Sequence, residues 1–429
     1  MKYSVLWSVS RFRHLCISFS RFVPLVVLAT FASCVEAGDQ EQWSRFRGPN
    51  GCGVTSENGV PSEWSEADYA WVADLPGVGN SSPVCWGDRV FVTAADEKNE
   101  VRSLLCIDLA TGKERWRADT GFKSYKKHKN NSFASATPAV DADRVYQLWH
   151  SKTATSLVAY DHEGGERWRT ELGPYLHGQG GATSPIVAGD YVVVAHDHKS
   201  ESYLIAVDRE NGKQHWKIPR EGKRACYSTP CVRDASGKAE LVFVHCYEGV
   251  IGVDLETGQQ NWKVDPFGRE SQRALASPVV SGDLVIAGSG AIAGDRQVVA
   301  IQVAEGNASQ ASEVYRVIRQ APHVPTPLIL NDRMYLWNDG GICTCCDLFT
   351  GEVVWQKRVG GTYFSSPIVI GDRIFSIDTA GEVVVLAAGD SFRVIARNSM
   401  GQGSRATLAV AGKTLLIRTD GKLFAICGE

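Results

Sequence analysis

Short apolar runs separated by turn-forming residues recur along most of the chain. In the best-preserved copy, Pro185 precedes a short apolar segment, a Gly189-Asp190 turn leads into the run 191–195, and a second run covers 203–207. A further turn then leads to a last segment that carries Trp216. Apolar runs of this length, bounded by Gly, Asp and Pro, predict β-strands. The unit therefore predicts four strands.

The same unit recurs at intervals of 40 to 55 residues, and seven of the eight copies open with a Ser-Pro or Thr-Pro pair. The prolines are Pro83, Pro138, Pro185, Pro230, Pro278, Pro327 and Pro367, with Ala406-Thr407 at the eighth position. One four-stranded sheet cannot bury both of its faces, and repeated four-stranded units at this spacing are typical of propeller blades. The chain is therefore predicted to be all-β.

A turn that begins with Asp and ends at a tryptophan is the second repeated feature. The tryptophans are Trp116, Trp168, Trp216, Trp262 and Trp355. A buried indole removes ~150–250 Å² from water, which sets an upper bound of ~4–6 kcal/mol for each one. We expect them to dock each blade against its neighbour. Tyr315 and Ile395 take this place in the fifth and seventh blades, where weaker contacts are expected.

The two ends of the chain complement each other. Trp71 lies in a strand-like segment, 69–75, which has the spacing of a last strand but lacks three strands before it. The final repeat ends near Cys427 after only three strands. Pairing the two segments leaves no open edge between the first and last blades. The sequence predicts an eight-bladed β-propeller of four-stranded blades, closed by an N-terminal strand.

Residues 1–37 resemble an export signal, with three arginines, an apolar core over 22–32 and small residues before Gly38. The core is too short to serve as a permanent membrane span. We expect a periplasmic or secreted protein after cleavage near Ala37, with a lipoprotein at Cys34 as the poorer fit. Residues 38–68 form an N-terminal extension that could plug or strap the disc, and 69–429 form one propeller domain.

Removing residues 1–37 shifts the formal charge from −3 to −6 and leaves ten cysteines. An acidic chain does not suit general nucleic-acid binding. Export permits disulfides, but the spacing assigns none. A closed propeller has no unpaired edge that would require association, so a monomer is expected.

The motif Ser-Pro, Gly-Asp and Asp-x-x-Thr-Gly-x-x-x-Trp resembles the pyrroloquinoline quinone (PQQ) propeller repeat family. This family includes quinoprotein alcohol dehydrogenases and a non-catalytic outer-membrane assembly lipoprotein. The segment 46–51, Phe-Arg-Gly-Pro-Asn-Gly, and the segment 61–64, Pro-Ser-Glu-Trp, are similar to exported propellers of planctomycete-type bacteria. The resemblance implies an eight-bladed propeller, whereas function must be argued from the site because this fold carries unrelated activities.

If the inner strands run from the top face to the bottom, two sets of residues are predicted to share the top face. One set ends the second strand of each blade, and the other lies in the blade-to-blade loops, which are rich in basic and aromatic residues. Such a face on an acidic chain suggests an anionic partner. The candidate partner-binding residues are His196, His245, Asn338, Asp378, Arg418, Arg224, Tyr227, Arg273, His323, Tyr363 and Arg405.

Two motifs are candidates for chemistry. His196-Asp197-His198 has a spacing that can hold a metal, but no third ligand is identifiable. In catalytic members of the family, a vicinal disulfide lies against the quinone beside a calcium ion. Here Cys345-Cys346 falls within a third strand, where neighbouring side chains point to opposite faces, and no calcium ligand set can be assigned. We predict neither a metal site nor a cofactor.

The sequence favours an exported, non-catalytic binding or scaffold propeller that uses its top face and channel mouth for a protein, anionic or glycan partner. One alternative is a PQQ- and calcium-dependent dehydrogenase. Another is a carbohydrate- or peptide-binding module, favoured if Tyr175, Tyr227 and Tyr363 are exposed around the mouth.

Overall fold

The computed structural model describes residues 42–222, 224–268, 273–290, 296–304 and 310–428. The predicted signal, 1–37, lies outside the described residues. The described strands form eight sheets, each with four antiparallel strands, and one sheet has a fifth. They confirm the predicted eight-bladed propeller. Among the described residues, no helix is both long and apolar enough to cross a membrane.

Two short strands and two single-turn 3-10 helices precede the first complete blade: β1 (Val54–Thr55), β2 (Tyr69–Asp74), Pro49–Gly51 and Glu66–Asp68. Blade 1 contains β3 (Val84–Trp86), β4 (Arg89–Asp96), β5 (Val101–Asp108) and β6 (Glu114–Gly121), and blade 2 contains β7 (Ala139–Val140), β8 (Arg144–Trp149), β9 (Thr155–Asp161) and β10 (Glu166–Gly173). Blade 3 contains β11 (Ile186–Ala188), β12 (Tyr191–His196), β13 (Ser202–Asp208) and β14 (Gln214–Arg220), and blade 4 contains β15 (Cys231–Asp234), β16 (Ala239–His245), β17 (Gly249–Asp254) and β18 (Gln260–Val264). Blade 5 contains β19 (Val279–Ser281), β20 (Leu284–Gly290), β21 (Arg296–Val303) and β22 (Ala311–Val317), and blade 6 contains β23 (Leu328–Leu330), β24 (Arg333–Trp337), β25 (Ile342–Asp347) and β26 (Val353–Arg358). Blade 7 contains β27 (Ile368–Ile370), β28 (Arg373–Ile377), β29 (Glu382–Ala387) and β30 (Val394–Ser399). Blade 8 contains β31 (Ala409–Ala411), β32 (Thr414–Arg418) and β33 (Lys422–Cys427), together with β2.

The middle strands of each blade are apolar at successive positions because both faces of the sheet are covered. In β12, Val192 and Val194 pack with residues of blade 2, whereas Val193 and Ala195 pack with residues of blade 4. Strands that are buried on both faces read as continuous apolar runs rather than as an alternating pattern. This explains why unbroken runs such as 191–195 predicted strands here.

The N-terminal strand closes the ring as predicted. Strand β2 pairs antiparallel with β33, with Trp71 opposite Ala425 and Val72 opposite Phe424. Blade 8 therefore takes three strands from the end of the chain and its outermost strand from the beginning. The two ends of the propeller are held together by backbone hydrogen bonds instead of leaving an unpaired edge.

Five indole N–H groups donate to a backbone carbonyl of the following blade, at 2.7–3.0 Å. The donors are Trp71, Trp116, Trp168, Trp216 and Trp355. In blade 5, the hydroxyl of Tyr315 donates to the Leu348 carbonyl of blade 6. Trp262 differs, since its N–H donates to the Glu240 carboxylate within its own blade, at 2.7 Å.

Glycine in the Asp turn makes room for the indole of the preceding blade. Gly258 has φ of +71°, and a Cβ there would lie 2.8 Å from the Trp216 ring. Gly401 has φ of +69°, with nothing within 4 Å of such a Cβ. We expect Gly401→Ala to cost about 1–2 kcal/mol for the left-handed backbone, and Gly258→Ala to cost about 1–3 kcal/mol more because the methyl group overpacks the ring. Urea unfolding of both variants measures the two losses in free energy of unfolding. Equal losses would mean that the Trp216 ring does not restrict the side chain at position 258.

The segment 43–55 crosses the inner strands of the propeller. Its contacts are the carbonyl of Trp43 with Cys85 N–H, the carbonyl of Ser44 with Val140 N–H, Arg45 with the Pro230 carbonyl, Arg47 with the Pro367 carbonyl, and a parallel pairing of β1 with β27. These partners belong to blades 1, 2, 4 and 7. The segment therefore spans the central channel and ties together blades that are not neighbours.

Candidate functional site

The inner ends of the blades surround a cavity of about 530 Å³ on the propeller axis. Seven blades contribute the Ser or Thr that precedes the inner strand: Thr137, Ser184, Thr229, Ser277, Thr326, Ser366 and Thr407. The blade-to-blade loops form the mouth of the cavity, and Phe46 of the crossing segment also lines it. The channel is therefore a cup that is open toward the loops.

The same Ser and Thr residues join neighbouring blades. At six blade junctions, the backbone N–H of one of these residues donates to the hydroxyl of its counterpart in the next blade, at 2.9–3.1 Å. The first of these bonds runs from Ser82 to Thr137, and the last runs from Ser366 to Thr407. Each bond satisfies a buried backbone donor, so the wall of the cup is fixed by a nearly continuous ring of hydrogen bonds.

Basic side chains dominate the mouth. Lys129, Arg273, Arg296 and Arg405 line the cavity, and Asp339 is the one carboxylate among the described lining residues. The Asp339 carboxylate lies 3.1 Å from the Arg296 guanidinium. With neutral histidines, the lining carries three net positive charges, although the whole chain is acidic. A concave site of one sign concentrates the opposite charge, so the cavity suits an anionic group.

Aromatic residues occupy the mouth beside these cations. Tyr227 and Phe364 line the cavity at the level of the loops. The Tyr227 hydroxyl lies 3.0 Å from Nδ1 of the buried His177. Burial lowers the pKa of His177 to about 4, so this ring is neutral at pH 7 and can hydrogen-bond the phenol. The contact holds Tyr227 in place at the mouth.

Four of the predicted site residues meet at the cavity: Tyr227, Arg273, His323 and Arg405. Burial lowers the pKa of His323 to about 4, and its backbone N–H donates to Asp339 at 2.8 Å. Arg224 does not line the cavity, and its guanidinium donates to the hydroxyl of Tyr247 at 2.9 Å. The loops thus supply the part of the predicted face that reaches the mouth.

The other six predicted residues lie beneath the surface. His196, His245, Asn338, Asp378, Arg418 and Tyr363 are each at most 6% exposed. They do not line the described cavity, so the predicted ring of strand ends is not a solvent-facing surface. A role of these six in contacting a partner remains a prediction that their burial does not support.

Contacts within the protein account for three of these buried residues. The Asn338 carboxamide oxygen accepts from backbone N–H groups two and four residues later, at 3.0 and 2.9 Å. Asp378 makes the same pair of contacts in blade 7, at 2.9 and 2.8 Å. The Arg418 guanidinium donates to the carbonyl and hydroxyl of Ser81, at 3.1 and 2.6 Å. The first two cap turns, and the third joins blade 8 to blade 1.

His196 and His198 belong to a buried aromatic cluster. Their ring centroids lie 4.5 Å apart. The centroid of the Tyr175 ring lies 5.9 Å from that of His196 and 5.3 Å from that of His198. The His150 ring packs edge-on against Tyr175, with ring centroids 4.8 Å apart. The cluster fills the space between the strand ends of blades 2 and 3 and the loop that connects these blades.

Sequence reasoning missed several cavity residues: Phe46, Arg296, Asp339 and Phe364. The prediction that residues 38–68 could plug or strap the disc was the available signal for Phe46. The Ser-Pro and Thr-Pro pairs indicated strand starts only, because their role as hydrogen-bonding partners depends on the angle between blades. No local pattern distinguished Arg296 from other arginines in turns.

The described residues do not fit a quinone held by calcium. Calcium takes six to eight oxygen ligands, and carboxylates among them supply negative charge. The one carboxylate that lines the described cavity is Asp339, which is already paired with Arg296, and the other charged lining residues are cations. Cys345 and Cys346 are separate thiols in β25 that pack into different apolar clusters. Burial raises the pKa of Cys345 to about 11 and that of Cys346 to about 12, as expected for inert structural thiols.

Comparison with known proteins links the chain to both branches of the predicted family. An outer membrane protein assembly factor BamB from Yersinia pestis is 23% identical over 330 residues, covering 75% of this chain and 67% of that protein. A polyvinylalcohol dehydrogenase from a Pseudomonas species is 23% identical over 203 residues, covering 43% of this chain and 30% of that protein. The chain thus matches under a third of the dehydrogenase.

Solved structures share the fold. BamB from Moraxella catarrhalis aligns with a TM-score of 0.58 and 16% identity, covering 83% of this chain and 97% of that one. The quinohemoprotein alcohol dehydrogenase of Comamonas testosteroni aligns with a TM-score of 0.65 and 12% identity, covering 91% of this chain and 81% of that one. At these identities the structures establish the propeller and not the activity.

The family assignment rests on the sequence itself. The profile of one family matches residues 101–330 and again 318–428, which together include most of the chain. The chain therefore belongs to the propeller family described as outer membrane protein assembly factor BamB.

Proposed function

We propose that this protein is an exported, non-catalytic binding propeller that receives an acidic segment of a protein partner in the cup at its channel mouth. The observation that best supports this proposal is the charge of the cavity lining. Four cationic side chains and one carboxylate line the cavity, although the chain as a whole is acidic. We place the protein in the periplasm, because its leader resembles an export signal and its family is named for outer membrane assembly.

The size of the cup limits what can enter. A cavity of about 530 Å³ holds a few side chains or a chain end, but it cannot enclose a folded domain. An extended acidic segment would place its carboxylates against Arg273 and Lys129, which have no carboxylate partner among the described residues. Charged hydrogen bonds of this kind are stronger than neutral ones and set orientation, while the aromatic rings can cover the apolar part of the segment.

The positions of the tyrosines favour an acidic protein segment over a sugar. A carbohydrate site would use exposed aromatic rings around the mouth, yet Tyr175 and Tyr363 are at most 1% exposed. Tyr227 is the one residue of that trio that lines the cavity. One ring beside several cations is a poor stacking platform for a neutral glycan and a good environment for carboxylates.

Charge reversal at the mouth tests the proposal. The probe is a fluorescein-labelled peptide of ten alternating Asp and Gly residues, followed by anisotropy at low salt. We expect Arg273→Glu/Arg405→Glu to weaken binding by about 10- to 100-fold, since each tenfold loss corresponds to about 1.4 kcal/mol. Lys129→Glu, which changes an exposed residue of the lining, is expected to weaken binding without risk to the fold.

The matched control is Arg117→Glu/Arg169→Glu, which changes net charge equally. Both arginines lie on outermost strands and pair with glutamates three residues earlier. This control should retain most of the affinity. Equal losses in the two double variants would show a general charge effect, and unchanged binding in the mouth variants would place the site elsewhere. Calcium-dependent binding of PQQ in titration calorimetry would instead support the dehydrogenase alternative.

A further inference from the structure

Two buried cysteines face each other beside the cavity mouth. Cys226 lies in the loop that enters blade 4, and Cys246 directly follows β16 of the same blade. Their sulfur atoms are 3.4 Å apart, and the Cys246 N–H donates to the Cys226 sulfur at 3.3 Å. Both residues are at most 2% exposed. Two thiols in van der Waals contact need only a small movement to reach bonding distance.

The backbone around the pair fixes this approach. Two residues beyond Cys226, the Ser228 hydroxyl donates to the Val244 carbonyl at 2.9 Å. The loop therefore returns alongside the end of β16, and this path brings the side chain of Cys226 against Cys246. The contact is thus part of the local chain path.

His245 completes the cluster, since one of its ring nitrogens lies within 4.8 Å of both sulfur atoms. A His and two Cys could in principle hold a zinc ion. However, His245 Nδ1 accepts backbone N–H groups from Tyr247 and Glu248, both at 3.2 Å. The neutral ring must then carry its proton on Nε2, so neither nitrogen offers a free lone pair. This geometry favours a thiol pair over a metal centre.

We propose that Cys226 and Cys246 form a disulfide once the protein is in an oxidising compartment. This inference rests on the proposed export. One thiolate attacks a disulfide oxidant, of the glutathione disulfide class, and releases one thiol; the second cysteine then attacks the mixed disulfide and releases the other. Two protons and two electrons leave the pair, and the oxidant becomes two thiols. The reaction takes place during folding, before the pair is buried.

The two thiols differ in pKa once they are in contact in the folded protein. Hydrogen bonding from Cys226 lowers the pKa of Cys246, while burial raises the pKa of Cys226 well above its usual range. Adjacency in sequence alone does not produce such a contact. Cys345 and Cys346 are adjacent in β25 but belong to opposite faces of the strand, so they supply an internal comparison within the same protein.

Peptide mapping in glutathione buffer tests the proposal without reference to localisation or ligand binding. Full-length protein is refolded with oxidised and reduced glutathione, denatured, alkylated without reductant and digested. We expect a cross-linked peptide joining Cys226 to Cys246, two mass units below the sum of the reduced peptides, and full alkylation of Cys345 and Cys346. Alkylation of Cys226 and Cys246 as well would overturn the proposal, as would stoichiometric zinc that protects both.

Thermal unfolding supplies a second readout. The bond closes a loop of about twenty residues, and its reduction should lower Tm by roughly 4 °C in a domain of this size. Cys226→Ser/Cys246→Ser should show no response of Tm to reductant. A wild-type Tm that is equally insensitive to reductant, together with alkylation of both cysteines, would refute the bond. Peptide binding at the mouth is measured separately, so failure of the disulfide leaves the proposed function to its own test.

Discussion

Replacing Trp216 by alanine is expected to lower the free energy of unfolding by about 3–5 kcal/mol, the range for large aromatic truncations in cores. The indole is 7% exposed and packs over Gly258 of the next blade. Its N–H donates to the Leu255 carbonyl at 2.8 Å. The substitution would remove the largest side chain at this junction and leave that carbonyl without its donor, so both losses act on the same pair of blades.

Urea unfolding followed by fluorescence measures this loss from the shift in midpoint at constant slope. The control is Phe349→Ala. Phe349 lies in the Asp turn of blade 6, the counterpart of the turn that contains Gly258 in blade 4, and it is 58% exposed. This change should stay within about 0.5 kcal/mol of wild type. A loss well under 1 kcal/mol for Trp216→Ala would contradict an interblade role for the repeated tryptophan.

The number and closure of the blades could be predicted because the relevant signals are local and repeated. Each Ser-Pro pair and each Asp turn marks the same point of a blade, so the spacing of copies fixes their number. Closure could be predicted because the last repeat lacks one strand and the segment before the first blade supplies one. The structure confirms this pairing, with Trp71 opposite Ala425. Such arguments need only the chemistry of short strands and turns.

The burial of the residues at the strand ends could not be predicted in the same way. Alignment placed His196, Asn338 and Arg418 at strand ends, but it did not reveal what covers them. Long blade-to-blade loops fold over these positions, and Tyr175, from one such loop, packs against His196. Burial at a strand end thus depends on loops that differ between blades, whereas the repeat pattern describes only what the blades share.

Basic loop residues were easier to place because they need solvent. Arg273 and Arg405 lie at the cavity as expected, since a guanidinium without a buried partner stays near water. The wall of the cup could not be recognised in the sequence, because it uses Ser and Thr residues that any strand could carry. Only the circular arrangement turns them into a ring of donors and acceptors, and circular arrangement is a property of the whole chain.

Acidification should destabilise the fold through the buried histidine cluster. Burial, with the nearby charge of Arg102, lowers the pKa of His150 to about 3. Burial also lowers the pKa of His196 to about 3, with His198 adding to the effect. Both rings are neutral in the folded protein at pH 7, but in the unfolded chain they bind protons below about pH 6.5. The unfolded state therefore takes up more protons as pH falls, and stability decreases.

The expected loss at pH 5 is about 2 kcal/mol for each of the two histidines, or about 4 kcal/mol together. Urea unfolding at pH 7.5, 6.5, 5.5 and 5.0 measures it, in a range where salt-bridged carboxylates contribute little. His150→Gln/His196→Gln should reduce the wild-type loss by about 4 kcal/mol, because glutamine takes up no proton. His177 and His323, whose pKa values burial also lowers, contribute equally in both proteins. Phe349→Ala, which changes an exposed side chain without a titratable group, should keep the wild-type slope. Equal slopes for all three proteins would mean that the cluster is not held neutral by burial.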